Sequence, residues 1–423
     1  MQEVSFFYLP GQEAHGRLAV IRDNGNSRLL WQITAPRDWQ ITAPGRPVEE
    51  LPRLLARYSP SHHLAAAQAL DQLFGVEPPE LAINCRECLR QVDILRHHLR
   101  RLYFLLTLWE PDQDWFRRRR PQPPAVVWRD KIQQHLALAR EAATIIGGRP
   151  EHPLTAVVGG FSRFLKPEQR QRLAQISRIL VDFAQALADF VTREILSPER
   201  SQWLTEVTAP PLATLTLAPT GNQLRRQQPD GREELFPLAE VWQRLGRQQE
   251  PWTYEPLAYW QAEGWPGLTG SETRGLMLVG PLARVAAAPP AEGQTESAEP
   301  ASFRGRLDLA TAFRALLQEL QAAAQTLVAL AQEEKLTGPQ LRTIPTGWGE
   351  LGQAAVEGPS GLICLACRAD NRGLITELQL LDPDMLKPAF LNLVLQNWAP
   401  EVASATAVTK AWRQKIAIGL LPW

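Results

Sequence analysis

The spacing of apolar residues changes period several times along this chain. Near the start Val4, Phe6 and Tyr8 alternate with other residues, and Leu18, Val20 and Ile21 follow between glycine-containing turns. A period of two belongs to half-buried strands, so residues 1–50 are expected to be strand and turn. Within them Trp31-Gln32-Ile33-Thr34-Ala35-Pro36 recurs as Trp39-Gln40-Ile41-Thr42-Ala43-Pro44. One tandem copy is too short for a solenoid and reads as a local surface feature. From Pro60 the period becomes helical, with Leu64, Ala67, Leu70 and Phe74 on one face. Pro78-Pro79 then restart a helix whose apolar positions are Leu89, Val92, Leu95, Leu99 and Leu102. A third helix is expected over residues 125–146, stopped by Gly147-Gly148. A fourth runs from Pro167 to Leu196 and turns Leu173, Ile176, Ile179, Leu180, Phe183 and Leu187 inward. Helices of this length predict a long-helix bundle core.

The segment 205–285 is rich in Pro, Gly and Trp and should carry short strands and loops. Residues 286–302 lack apolar periodicity and read as a flexible insertion. A helix follows over 307–334, then a strand pair over 361–381 folded at Asp370-Asn371-Arg372-Gly373. The last forty residues read as one or two helices ending on Trp423. The fold class expected is mainly α with small peripheral β-sheets (α+β), with residues 1–423 forming a single domain.

Charge alters little in this picture. Forty-five basic and forty-five acidic residues cancel, so no global field favours nucleic acid or an anionic membrane. The run Arg117 to Arg120, followed by Pro121, Pro123 and Pro124, reads as a solvated loop. No uncharged apolar run approaches the roughly 18 residues of a membrane span, and no secretory leader is evident. A cytoplasmic protein is expected.

The four cysteines form two Cys-x-x-Cys pairs, Cys85/Cys88 and Cys364/Cys367. They are too few for a disulfide scaffold in a chain of this size. Cys85 and Cys88 are one helical turn apart, with their thiols to one side. Cys364 and Cys367 sit in a predicted strand, where a separation of three puts them on opposite faces unless the strand bulges. Three readings stand. The thiols pack as small apolar side chains among Ile83, Leu89, Leu362, Ile363 and Leu365. They hold metal, as a zinc or iron-sulfur site or as transient carriers of an iron fragment. Or they form reversible disulfides.

Six blocks carry a family likeness. They are Gly11-Gln12-Glu13-Ala14-His15-Gly16-Arg17-Leu18; Arg57-Tyr58-Ser59-Pro60-Ser61-His62-His63; Gly75-Val76-Glu77-Pro78-Pro79; Gly147-Gly148-Arg149-Pro150-Glu151-His152-Pro153 with Gly159-Gly160; Val279-Gly280-Pro281-Leu282-Ala283-Arg284-Val285; and Val356-Glu357-Gly358-Pro359-Ser360-Gly361. Taken in this order they resemble the large subunit of nickel-iron hydrogenases over nearly the whole chain. The resemblance implies that family's long-helix bundle. It also implies a site where four thiolates, in two Cys-x-x-Cys pairs, bind nickel and two of them bridge to iron.

This chain departs from the family at those positions. The first pair is gone, Ser59 and Ser61 stand in its loop, which is shortened, and Ser360 replaces an arginine that would embrace the iron's ligands. The terminal Asp-Pro-Cys-x-x-Cys-x-x-His block is missing, and the late Asp382-Pro383 is followed by Asp384. Hydroxyls are hard, normally protonated donors and replace soft thiolates poorly. Glu13 matches a carboxylate of the family's first block and, like His15, His62, His63 and His152, is expected to be structural. The resemblance therefore implies a non-catalytic homologue with no permanent nickel-iron centre, an accessory in hydrogenase maturation. Its partners would be maturation proteins or the true large subunit. The alternatives are a structural or regulatory subunit beside an iron-sulfur small-subunit-like protein, an active nickel-dependent hydrogenase with atypical ligands, and a relocated four-cysteine metal or redox site.

Overall fold

The computed structural model describes residues 3–7, 16–23, 26–33, 42–109, 124–209, 211–251, 253–267, 273–287, 307–396 and 416. Strands β1 (Glu3–Phe7), β2 (Gly16–Asp23) and β3 (Asn26–Ile33) form an antiparallel meander, as the alternation predicts. A short helix α1 (Leu51–Leu55) leads into α2 (Pro60–Leu73). Ser59 caps α2 by accepting the His62 N–H at 3.2 Å, and Pro60 supplies a pre-set φ at the first helical position. Pro79 precedes α3 (Glu80–Leu108), and α4 (Pro124–Gly147) and α5 (Pro167–Glu194) follow, separated by the hairpin β4 (Ala156–Val157) and β5 (Gly160–Phe161).

After α6 (Pro198–Glu206) come the short strands expected of this region: β6 (Thr208–Ala209), β7 (Ala213–Leu217), β8 (Gln223–Gln227), β9 (Glu233–Pro237), β10 (Leu245–Gln248), β11 (Leu257–Trp260) and β12 (Met277–Leu278). Four of them form the sheet β12-β7-β8-β9. Helix α7 (Pro281–Ala287), strand β13 (Leu307–Asp308) and helix α8 (Leu309–Leu330) lead to β14 (Leu351–Gly358), β15 (Gly361–Ala369), β16 (Ile375–Leu381) and helix α9 (Pro383–Leu395). The four long helices make the bundle: α3 packs on α4 and α8, and α5 packs on α4 and α8.

Four details differ from the sequence expectation, the first being that Trp31 and Ala43 of the repeated segment, read as surface, are buried in the main core. Ile179, placed on the inner face of α5, is 41% exposed, because the buried stripe follows Leu173, Ile176, Leu180, Phe183 and Leu187 instead. The pair over 361–381 gains a third strand, β14, which lacks clean alternation because both its faces are covered. Finally β15 is interior, with its first seven residues buried. One of its faces enters the main core; the other joins a smaller core with Leu215, Phe236, Trp260 and Met385. Helix α2 approaches β14 so closely that a Cβ on Gly352 would lie 2.2 Å from the Ala69 carbonyl oxygen. Glu13, His15, the Arg117–Arg120 run, most of the 286–302 segment and most of the last forty residues lie outside the described residues. No helix among the described residues is long and apolar enough to cross a membrane.

Candidate functional site

Two helix starts and a hairpin turn converge on one polar cleft of about 250 Å³. The start of α2 brings Ser59, Pro60 and His62; the turn between β14 and β15 brings Pro359, Ser360 and Gly361; the start of α9 brings Pro383 and Asp384. Helix α3 forms a wall with Asp93, Arg96, His97 and Arg100, and the loop before β4 adds Glu151 and His152. The spacing of the four α3 residues, i, i+3, i+4 and i+7, is that of one helix face. The apolar period of this helix was the signal read from the sequence; the polar face opposite the serines emerges only from the packing.

The three serines at the family's chemical positions are each engaged. Ser59 Oγ lies 2.7 Å from His62 Nδ1, and His62 Nε2 lies 3.6 Å from the Asp382 carboxylate. Ser61 Oγ donates to Asp93 Oδ2 at 2.7 Å in the interior. Ser360 Oγ and His97 Nε2 are 3.1 Å apart. Burial pushes the Asp93 carboxyl up to about 6, against the opposing pull of the Ser61 hydrogen bond and the Arg96 charge. Arg96 pairs with Glu151 and donates to the Pro150 carbonyl, and Arg100 reaches the same Glu151 oxygen at 2.8 Å. His152 is the one non-glycine residue among the described residues in the left-handed region, at φ 53°. Its Nδ1 is held 3.2 Å from the Ala56 carbonyl oxygen. His63 faces away into the core. Its Nδ1 donates to Pro52 O at 2.8 Å, its Nε2 accepts the Ala156 N–H at 3.1 Å, and burial lowers its pKa to about 4. It is a neutral structural histidine.

Two of the sequence blocks meet deeper in the molecule. Arg284 of α7 grips Glu319 of α8 with both arms and Glu357 of β14 at 2.6 Å. Glu319 also contacts His98 Nε2 at 2.5 Å, and Glu357 accepts the Leu217 N–H at 2.9 Å. Burial alone would raise the Glu319 carboxyl, but Arg284 and His98 outweigh it and hold it well below the usual carboxylate range. Lys387 is buried on α9 near this cluster, and desolvation with the Arg101 charge depresses its ammonium strongly. Arg284 and Glu357 therefore bind α7, α8 and β14 together.

The cysteines lie elsewhere. All four are buried with free thiols, and none lines the cleft. Cys85, Cys88 and Cys367 belong to the main core and Cys364 to the smaller one, so β15 turns its two thiols to opposite faces. Burial pushes Cys85 and Cys367 up to about 12 and the other two far above the usual thiol range. Among the described residues no three His, Cys, Asp or Glu side chains gather as a metal would require. At the family's positions the donors are hydroxyls engaged with imidazole and carboxylate partners, while the thiols are protonated in the core. This donor set does not fit a nickel-iron centre.

No protein-family model matches the chain. It is 25% identical over 430 residues to an iron-sulfur subunit of the F420-non-reducing hydrogenase of Archaeoglobus profundus, covering 94% of this chain and 88% of that one. It is 25% identical over 399 residues to a vhu subunit of the F420-non-reducing hydrogenase of Methanocaldococcus jannaschii, covering 87% and 92%. Among solved structures, an NAD+-reducing [NiFe]-hydrogenase in the H2-reduced state superposes with a TM-score of 0.85 over 99% of this chain and 97% of that one, at 21% identity. The Ni-Fe-Se hydrogenase of D. vulgaris Hildenborough gives a TM-score of 0.70 over 99% and 98%, at 15% identity. The homologues are hydrogenase large-subunit-like, and the α+β fold is that of hydrogenase large-subunit structures.

Proposed function

We propose that this chain is a hydrogenase large-subunit-like accessory that serves the maturation of a nickel-iron hydrogenase and holds no resident metal centre. The observation that carries the reading is the state of Ser59, Ser61 and Ser360. Ser59 and Ser61 stand in the loop that bears the first thiolate pair of the resembling family, Ser360 stands where that family has an arginine, and each is hydrogen-bonded to His62, Asp93 or His97. Making such a hydroxyl an anionic donor would require breaking these bonds and deprotonating an alcohol, and the alkoxide formed would still be a hard donor, unlike a thiolate. The architecture around the cleft survives nonetheless, and a preserved fold without its thiolates is suited to binding. The partner is then a maturation protein or the metal-bearing large subunit itself.

Deletion of the gene in the native host tests this. The expected result is loss of hydrogenase activity, with the metal-bearing large subunit left unprocessed or without iron. Normal maturation in the deletion strain refutes the accessory role, and stoichiometric nickel in the purified chain refutes the missing centre.

A second reading has an observation of its own. The match to the NAD+-reducing hydrogenase chain runs almost end to end, and a fold kept over its whole length suits a subunit packed beside a second chain. In that case the chain co-purifies in fixed ratio with an iron-sulfur small-subunit-like protein inside a working complex.

A further inference from the structure

Ser59 occupies one of the positions vacated by thiolates, and the cleft gives it chemistry of another kind. Its Oγ is 2.7 Å from His62 Nδ1, and Nε2 of that ring faces the Asp382 carboxylate at 3.6 Å. Hydroxyl, imidazole and carboxylate in series are how a weak oxygen nucleophile is activated: the base takes its proton and the acid orients the base. With the ring proton on Nε2, toward Asp382, Nδ1 accepts from Ser59. The same Oγ accepts the His62 N–H at 3.2 Å, at the start of a helix of 14 residues. Negative charge developing on that oxygen meets an amide donor and the positive end of α2. Arg57 and Arg100 line the cleft that Ser59 enters, as cationic donors for a carbonyl oxygen. Ser61 is the contrast, since its hydroxyl is buried on the Asp93 carboxylate and is not among the residues that line the cleft.

We propose that Ser59 is a nucleophile that accepts an acyl group from a small activated ester or thioester bound in the cleft. Its Oγ forms a bond to the carbonyl carbon while His62 Nδ1 takes the hydroxyl proton. The bond to the leaving alcohol or thiol breaks, and that group departs with the proton from His62. Water, deprotonated by the same ring, then cleaves the Ser59 ester and restores the hydroxyl with release of a carboxylic acid. No electrons are transferred, and water is the only co-reactant. This activity is independent of the assembly role, and either can fail while the other stands.

The test uses the purified full-length chain, a fluorophosphonate probe with peptide mass spectrometry, and p-nitrophenyl acetate turnover. A single adduct on Ser59 is expected, absent in Ser59→Ala, together with a burst of p-nitrophenol. His62→Gln retains the backbone N–H that caps α2 and should slow labelling by about 10²–10⁴-fold. Asp382→Asn keeps an oxygen for the Asp384 N–H and should slow it less. Circular dichroism confirms that each variant is folded. If the folded parent protein gives no Ser59 adduct, or if His62→Gln labels as fast as the parent, the hydroxyl is a helix cap alone and the proposal is overturned.

Discussion

A carboxyl and an imidazole beside the same helix should respond to acid in opposite senses. Asp93 has a folded pKa of about 6, above the roughly 3.9 of an unfolded aspartate. The folded state therefore holds the extra proton between these values, so this contribution is complete below about pH 4 and lost as pH rises through 6. His63 is the reverse, lowered to about 4 from about 6.5 in the unfolded chain. Its contribution is complete above pH 6.5 and lost as pH falls toward 4. Asp93→Asn, which keeps an acceptor for Ser61, removes the first contribution and leaves the second. The variant should gain on the order of 1–3 kcal/mol relative to the parent at pH 7.5, and it should lose stability more steeply from pH 6 to 4. Urea unfolding at both ends of that window measures this, and an equal displacement at both would refute it. The thiols give a second residue-scale prediction. With Cys85 and Cys367 pushed up to about 12, and the thiolate being the reactive form, an aromatic disulfide reagent at pH 8 should titrate the four cysteines only after denaturation. Rapid stoichiometric reaction of the native protein would contradict their placement.

At the scale of elements, the contact between α2 and β14 sets the cleft. The small residues Ala65, Ala66 and Ala69 of α2 are fully buried, and Gly352 has no room for a Cβ against the Ala69 carbonyl. This glycine is needed for close approach, and its φ is not in the left-handed region. Gly352→Ala should therefore force helix and strand apart, destabilising by about 1–3 kcal/mol. Because α2 carries Ser61 and is capped by Ser59, and β14 leads to Ser360, the same variant should disturb the cleft. A fall in thermal midpoint is the readout, and an unchanged midpoint would show that the contact yields without cost. Helices were the legible part of this level. The periods over α2, α3 and α5 named many of their buried residues, since a long helix against a core must repeat its apolar face. Ile179 misled because it is apolar but lies just off the buried stripe, where water still reaches it. Strand β14 went unread because its Leu-Gly-Gln-Ala-Ala-Val-Glu-Gly run has no clean period, and only pairing with β15 makes it a strand.

For the whole molecule, the cluster of Arg284, Glu319 and Glu357 decides how the later elements close on the bundle. Arg284→Met would leave two largely buried carboxylates without this cation, at a loss of about 2–4 kcal/mol. Chemical denaturation checks this, and a loss below about 1 kcal/mol would mean that water or another cation compensates. Val279 to Val285 and Val356 to Gly361 stood out in the sequence as motifs, yet nothing local says that they meet through one guanidinium. The sequence by itself determined the helix periods, the helix starts at Pro60, Pro79 and Pro167, and the lack of cysteine at the family's ligand positions. These depend on residue identity and near-neighbour spacing, which the chain states directly. Only the tertiary structure decided what the substituted positions contact: Ser59 meets His62, whose ring faces Asp382, Ser61 meets Asp93, and Ser360, in place of the arginine, meets His97. Most of these pairs join residues remote in sequence. A hydrogen bond of about 3 Å between them exists only because α2, α3, α9 and the β14–β15 turn pack in one arrangement, and no local pattern encodes that.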